Sequence, residues 1–146
     1  MKKLFPGSAA VAQLAVNQLV VGSNPTPGAM KIIDGKITID ELKIMAEKMF
    51  GDLVKAVVDV EKGLIALDAE MHADEEELLL EQGSQQCQLW GINLYPGKKG
   101  EDFVEFDSMI NLRPAQGNRS RGVDDPDLRT RIIKIVDKSI ANGIPA

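Results

Sequence analysis

The chain has very few of the residues from which disulfides and metal sites are built. Its 146 residues include one cysteine, Cys87, and one histidine, His72. A single cysteine cannot form a disulfide within the chain, and this set cannot supply a cysteine-based zinc site or a histidine-rich metal site. So low a cysteine count also fits a reducing compartment. The sequence therefore predicts a cytoplasmic protein with no metal centre and no cofactor.

A long hydrophobic run and a positive net charge are also missing. No apolar stretch reaches the roughly 18–20 residues that a membrane helix needs, and the formal net charge is −5 at pH 7. An acidic chain is repelled by nucleic acid and by anionic membrane surfaces. We therefore expect neither as a partner. The composition, 44% hydrophobic and 27% charged, is typical of one globular domain.

Residues 1–29 differ from the rest of the chain in charge and in pattern. Lys2 and Lys3 are their only charged residues, and polar residues interrupt the apolar centre that a secretory signal would have. Residues 22–25 (GSNP) are the translation of GGTTCGAATCCC, a string that resembles the T-arm of a transfer-RNA gene. We therefore expect residues 1–29 to be a disordered leader from spurious upstream translation. Residues 30–146 would then be a single α+β domain, with a charge of −7 once the two lysines are taken from −5.

Three helices are predicted from capping signals that precede apolar stripes. Thr38 and Glu41 form a capping box before the first helix. Asp74 caps a short second helix that reaches about residue 82. Asp125 and Pro126 begin the last helix, since proline is tolerated at a first helical position.

Two hairpins are predicted from the alternation of apolar and polar residues. Residues 53–60 and 64–71 alternate on either side of a turn with glycine, and residues 88–95 and 103–113 alternate around a second such loop. A short strand or extended segment, residues 31–36, precedes the first helix. The predicted fold class is α+β, with three helices packed on one face of a largely antiparallel sheet of two hairpins, in a single domain.

The most distinctive stretches of the sequence are HADEEELLLEQGS (72–84), LWGINLYP (89–96) and INLRPAQGNRSRGVDDPDLR (110–129). They resemble a small uncharacterised prokaryotic family, a domain of unknown function, over about residues 30–140. The resemblance implies a free-standing, single-domain bacterial or archaeal protein of the cytoplasm that begins near Met30. It implies no activity and no catalytic residue.

The arginines provide the first candidate site. All five lie between positions 113 and 131. The guanidinium group is a planar fork that suits carboxylate or phosphate, and neighbouring glycines would let the backbone approach a ligand. Aspartates follow directly, so the arginines could equally pair within the chain or with a second copy. The candidate residues for binding an anion or a partner are Arg113, Gln116, Asn118, Arg119, Ser120 and Arg121.

Polar residues at alternate positions give two further candidates. Asp68, Glu70 and His72 share one face if the strand extends through them, and a histidine with two carboxylates can bind a metal or transfer protons. The polar face of the second hairpin, with Glu105 and Asp107, would form a concave site if it met the arginine-rich loop. For both candidates there is an alternative explanation without function, because any strand with one face in solvent carries polar residues at alternate positions. The residues with possible acid or base roles are His72, Glu105 and Asp107.

Two functions from different classes are consistent with these patterns. The first is a binding or interaction domain that forms a homodimer through residues 113–121, because small α+β domains often cover a sheet edge by self-association. The second is an enzyme acting on a phosphorylated or carboxylated small molecule. In the enzyme, Arg113, Arg119 and Arg121 would clamp the anion, and His72 or Glu105 would act as acid or base.

Overall fold

The computed structural model describes residues 30–146, so the prediction made for residues 1–29 lies outside the described residues. Five strands form one antiparallel sheet in the order β1–β3–β2–β4–β5. This confirms the predicted class, a single small α+β domain. The elements are β1 (Lys31–Ile33), α1 (Ile39–Met49), β2 (Val54–Asp59), β3 (Leu64–Leu67), α2 (His72–Glu81), β4 (Leu89–Leu94), β5 (Val104–Glu105) and α3 (Pro126–Ser139).

The helices cover both faces of the sheet, so the prediction of a single covered face is wrong. On one face, Leu42 of α1 and Ile132 of α3 belong to the main core cluster. On the other face, Leu79 of α2 packs in a second cluster with Val57 of the central strand β2. Val57 and its neighbour Val58 point to opposite faces, and both are fully buried. Apolar residues on both sides of a strand are typical of a sheet that is covered twice.

The capping signals of α1 and α3 are confirmed. The Glu41 N–H donates to Thr38 Oγ1 at 3.0 Å, and the Thr38 N–H donates to Glu41 Oε1 at 2.9 Å. The Asp125 carboxylate accepts from the N–H of Asp127 at 2.9 Å. Each bond satisfies a backbone donor that the first turn of a helix leaves free. Local sequence therefore specifies where both helices begin.

The segment between β3 and α2 differs from its prediction. α2 begins at His72, two residues before Asp74, and has no side-chain cap. β3 ends at Leu67, so Asp68, Glu70 and His72 do not share the face of one strand. Asp68 has a φ of 72°, a left-handed conformation that breaks the regular extension of a strand. As a result Asp68 and His72 are buried while Glu70 is exposed.

The return strand of the second hairpin is much shorter than predicted. β5 has two residues, whereas the alternation predicted a strand over residues 103–113. After β5 the chain forms 3-10 turns at Met109–Asn111 and Pro114–Gln116. Ile110 packs against the α2 cluster, but Leu112 is 38% exposed. The apolar alternation past residue 105 therefore reflects turns beside the sheet and not a strand within it.

Candidate functional site

A side chain continues the pairing of β4 where β5 stops. Asn111 lies opposite Gly91, accepts from the Gly91 N–H through Oδ1 at 2.8 Å and donates to the Gly91 carbonyl through Nδ2 at 3.0 Å. This reproduces the double exchange between facing residues of an antiparallel ladder. A Cβ at position 91 would lie 2.5 Å from Cβ of Ser108. Glycine is therefore required for the chain to approach β4 so closely.

Arg113 is held against the same edge of β4. Its Nε donates to the Ile110 carbonyl at 3.0 Å, and its Nη2 donates to the Leu89 carbonyl. The guanidinium carbon lies 4.6 Å from the centroid of the Trp90 ring, and Nη2 lies 3.6 Å from Glu76 Oε2. Burial lowers the pKa of Arg113, although the Glu76 charge opposes this. The side chain is 11% exposed, so this guanidinium faces protein and not solvent.

Gln116 adds a third contact of this kind, because its Nε2 donates to the Cys87 carbonyl at 3.0 Å. Asn111, Arg113 and Gln116 thus bind three carbonyls at alternate positions along β4 and the residues just before it. A sheet edge left open would present these groups to other chains. Side chains of the segment 109–121, which we call the edge segment, protect this edge in place of a strand.

Asn118 closes the edge segment on itself. The two N–H groups of its Nδ2 are shared among three carbonyls, those of Asn111 at 2.8 Å, Ser120 at 3.1 Å and Gly122 at 2.8 Å. Its Oδ1 accepts from the Asp124 N–H at 2.8 Å. Asn118 is 4% exposed, so its side-chain amide bonds within the protein and is not available to a ligand.

The remaining candidates of the loop have separate partners. Ser120 Oγ donates to Asp124 Oδ1 at 2.6 Å, and the Arg119 N–H donates to Asp124 Oδ2 at 2.9 Å. Both bonds lower the pKa of Asp124, and the bond from Ser120 has the larger effect. Arg121 pairs with Asp107, Nε to Oδ1 at 2.7 Å, on the surface. Among residues 30–146, the Arg119 guanidinium has no carboxylate within ion-pair distance. The side chains of Arg113, Arg119 and Arg121 therefore do not converge on one site.

Two of the residues with predicted acid or base roles, His72 and Glu105, contact neighbouring positions of β4, Ile92 and Asn93. His72 Nε2 lies 2.7 Å from the carbonyl oxygen of Ile92 and donates to it. Glu105 Oε1 accepts from Asn93 Nδ2 at 2.8 Å and from the Tyr95 hydroxyl at 2.9 Å. Burial raises the pKa of Tyr95 to about 12, and the hydrogen bond and charge of Glu105 are the next largest causes. The hydroxyl therefore stays protonated and acts as a donor.

Burial lowers the pKa of His72. The hydrogen bond to Ile92, the Asp107 charge and the neighbouring Asn93 side chain act in the opposite direction but do not outweigh burial, and Lys55 adds to the lowering. The ring is therefore neutral at pH 7. Because Nε2 carries the proton that it donates to Ile92, Nδ1 is an acceptor.

Glu75, which the sequence patterning did not single out, is a fully buried carboxyl one turn further along α2. Its Oε2 accepts from the Ala69 N–H at 3.1 Å. Burial raises its pKa to about 10, so the group is protonated at neutral pH. The sequence does contain a signal that Glu75 is buried. His72, Glu75 and Leu79 are spaced i, i+3 and i+7, which places Glu75 on the buried face of the helix.

A cleft of about 310 Å³ lies where the edge segment meets the start of α3. Gln116 and Asn118 line it together with Trp90, Arg131 and three aspartates, Asp124, Asp125 and Asp127. Three carboxylates against one guanidinium do not suit an anion. Across residues 30–146 no three His, Cys, Asp or Glu side chains are grouped to hold a metal ion. In the same range no helix is long and apolar enough to cross a membrane.

The architecture defines a class of protein, a small single α+β domain with a five-stranded antiparallel sheet. The chain belongs to the DUF5674 family of proteins of unknown function, whose family model matches residues 31–139. This confirms the resemblance predicted from the three sequence stretches. Comparison with curated proteins and with solved structures gave no significant match.

Proposed function

We propose that the protein is an interaction domain that binds a second copy of itself through the outer face of the edge segment and α2. The observation that supports this is the orientation of the edge segment. Its amide side chains point inward, whereas Met109 is 62% exposed and Leu112 is 38% exposed. Arg119, later in the same segment, is also exposed. Methionine and arginine are enriched at protein interfaces.

Charge complementarity favours a second copy as the partner. The chain is acidic, yet all of its arginines lie between positions 113 and 131. The edge segment lies beside α2, where Arg113 contacts Glu76 at 3.6 Å, and Glu77 and Glu81 on this helix are exposed. A two-fold axis between the two surfaces would bring Arg119 of each copy to the acidic helix of the other.

Sedimentation velocity over a range of protein concentrations tests the proposal. We expect a dimer for the natural sequence and a monomer for Met109→Glu, because a buried carboxylate without a partner opposes association. The matched control is Ile44→Glu on α1, since Ile44 is 51% exposed and lies outside the proposed surface. A natural protein that is monomeric at every concentration, or equal effects of both variants, would contradict the proposal.

The contribution of Arg119 and the acidic helix to the proposed dimer is tested by charge reversal. Arg119→Glu should weaken the dimer and remove most of its sensitivity to salt, since exposed charges are screened by ions. Lys134→Glu changes the charge by the same amount at an exposed position of α3 and should have no comparable effect. If the two charge reversals weaken the dimer equally, net charge and not a defined interface controls association.

A small anionic ligand is the second proposal, and the exposed guanidinium of Arg119 is the observation in its favour. An enzyme with an anion clamp would need Arg113 to leave the Leu89 carbonyl and Arg121 to leave Asp107. Thermal-shift measurements with phosphosugars, nucleotides and dicarboxylates test it, because a ligand that binds the folded state stabilises it by mass action. No stabilisation by any of these compounds would count against the clamp.

A further inference from the structure

The connection between β3 and α2, residues 68–71, is bonded to the helix by a buried carboxyl group. The Ala69 N–H donates to Glu75 Oε2 at 3.1 Å. Glu75 is fully buried, and its Oε1 has no hydrogen-bond partner within residues 30–146. An ionised carboxylate in this position would be strongly destabilised, because the desolvation of a charge is larger than the stabilisation by one hydrogen bond. The closed structure therefore requires the neutral acid.

The connection itself is held in an unfavourable conformation. Asp68 has a φ of 72°, which costs free energy in a residue other than glycine. Met71, at the other end of the connection, is 57% exposed, and α2 begins there without a side-chain cap. The buried polar contacts at this end of the helix are the bond from Ala69 to Glu75 and the 2.7 Å bond from His72 to Ile92.

The surroundings of Glu75 favour its neutral form. Burial is the largest cause of its raised pKa, which is about 10. The hydrogen bond from Ala69 and the charge of Lys55 on β2 lower this pKa, whereas the charges of Asp68 and Asp74 raise it further. In an open segment the carboxyl group would titrate near its ordinary value of 4.5. At neutral pH, opening of the segment is therefore coupled to the release of a proton.

We propose that Glu75 is a pH-dependent switch, whose neutral form holds residues 68–71 and the first turn of α2 against the sheet and whose ionised form releases them. On opening, water reaches the carboxyl group and accepts its proton. Rising pH favours the open form, and the opening constant increases about tenfold per pH unit between roughly pH 5 and pH 10. Opening uncovers part of the apolar face that includes Val57 and Leu89. The switch acts within one chain and does not rest on the proposed dimer.

Two other titratable groups lie at this end of α2. Burial lowers the pKa of His72, so the proton uptake of this ring favours opening only towards low pH. Burial raises the pKa of Asp68, against the charges of Lys31 and Lys48, and Asp68 therefore acts in the same direction as Glu75. Measurements above pH 7 exclude the contribution of His72, and a Glu75→Gln variant distinguishes Glu75 from Asp68.

Amide hydrogen exchange of the full-length protein, followed by NMR from roughly pH 7 to pH 8.5, tests the proposal. The exchange rate of the Ala69 N–H is the opening constant multiplied by the intrinsic rate, which itself rises about tenfold per pH unit. We therefore expect the rate at Ala69 to rise about a hundredfold per pH unit in the natural protein. In Glu75→Gln opening releases no proton, so the rise should be about tenfold per pH unit.

Glu77→Gln is the matched control, since Glu77 is an exposed carboxylate of the same helix, and it should keep the steep dependence of the natural protein. Amides of the central strand β2 exchange through global unfolding, so Ala69 should exchange faster than Val57 at every pH. A rise of only about tenfold per pH unit at Ala69 in the natural protein would overturn the proposal. The same dependence in Glu75→Gln as in the natural protein, or equal rates at Ala69 and Val57, would also overturn it.

Discussion

Asn111 and Gly91 are joined as two facing strand residues would be, although only Gly91 belongs to a strand. The amide of Asn111 accepts from the Gly91 N–H at 2.8 Å and donates to the Gly91 carbonyl at 3.0 Å. The same Nδ2 also donates to the Arg121 carbonyl at 2.9 Å. One side chain therefore ties the sheet edge to both ends of the edge segment.

Replacement of Asn111 should be among the most destabilising polar changes in the protein. Asn111→Ala leaves the N–H and carbonyl of Gly91 without partners in a buried position, and we expect a loss of roughly 3 kcal/mol in the free energy of unfolding. Gln116→Ala removes one bond at an exposed residue and should cost less than about 1 kcal/mol. Urea unfolding measures both, and similar small losses would show that solvent replaces the Asn111 contacts.

Gly91→Ala should destabilise through overpacking. Its Cβ would lie 2.5 Å from Cβ of Ser108 and 3.2 Å from Cδ2 of His72, and we expect a loss of roughly 2–3 kcal/mol. Gly97→Ala is the control, because nothing lies within 4 Å of its added Cβ, and it should change stability by less than about 0.5 kcal/mol. The double variant Gly91→Ala/Ser108→Gly should recover part of the loss; equal melting temperatures for the two single variants would exclude the clash.

Arg113→Lys should destabilise the protein, whereas the same substitution at the exposed Arg119 should not. A lysine cannot donate to the Ile110 and Leu89 carbonyls while it stacks on Trp90. We expect a loss of about 2 kcal/mol in stability and a change in Trp90 fluorescence. Arg119→Lys, at an exposed position, should change neither. A silent Arg113→Lys variant would mean that its contacts contribute little to the fold.

Glu75→Gln should stabilise the protein, increasingly so at higher pH. The pKa of Glu75 is raised from 4.5 to about 10 in the folded state, so the folded protein keeps a proton that the unfolded chain releases. From roughly pH 5 to pH 10 this costs up to about 1.4 kcal/mol of stability per pH unit. Glutamine still accepts from the Ala69 N–H without this cost, and we expect a gain on the order of 2 kcal/mol at neutral pH.

Urea unfolding of both proteins at a series of pH values measures this effect. The difference in stability between Glu75→Gln and the natural sequence should widen steadily as pH rises. A difference that is constant with pH would show that Glu75 does not carry the raised pKa.

Most of the predicted fold rests on signals that are local in sequence. The capping box at Thr38 and the proline start at Pro126 place two helices because a cap bonds to residues two or three positions away. The hairpin of β2 and β3 is predicted for a similar reason, since a short turn sets its register. The start of α2 was missed because it has no side-chain cap.

The candidate site was less predictable, because side chains at one loop can point in opposite directions. Composition identified the arginine-rich loop but could not show that Arg113 faces inward against Leu89 while Arg119 faces solvent. Whether His72 and the polar face of the second hairpin lie close together was left open by the sequence, and the structure places His72 against Ile92 and next to the Asn93 side chain. It depends on how α2 is placed against the sheet, which no short pattern encodes.

By itself the amino-acid sequence determined an acidic, single-cysteine chain with an α+β class, the starts of two helices and membership of a family. These properties follow from composition and from interactions over a few residues. Tertiary structure alone decided that the sheet is covered on both faces and that Asn111 replaces a strand residue opposite Gly91. It also decided that Glu75 is buried and protonated. Such features depend on hydrogen bonds and desolvation between residues far apart in sequence, and burial is a property of the packed molecule.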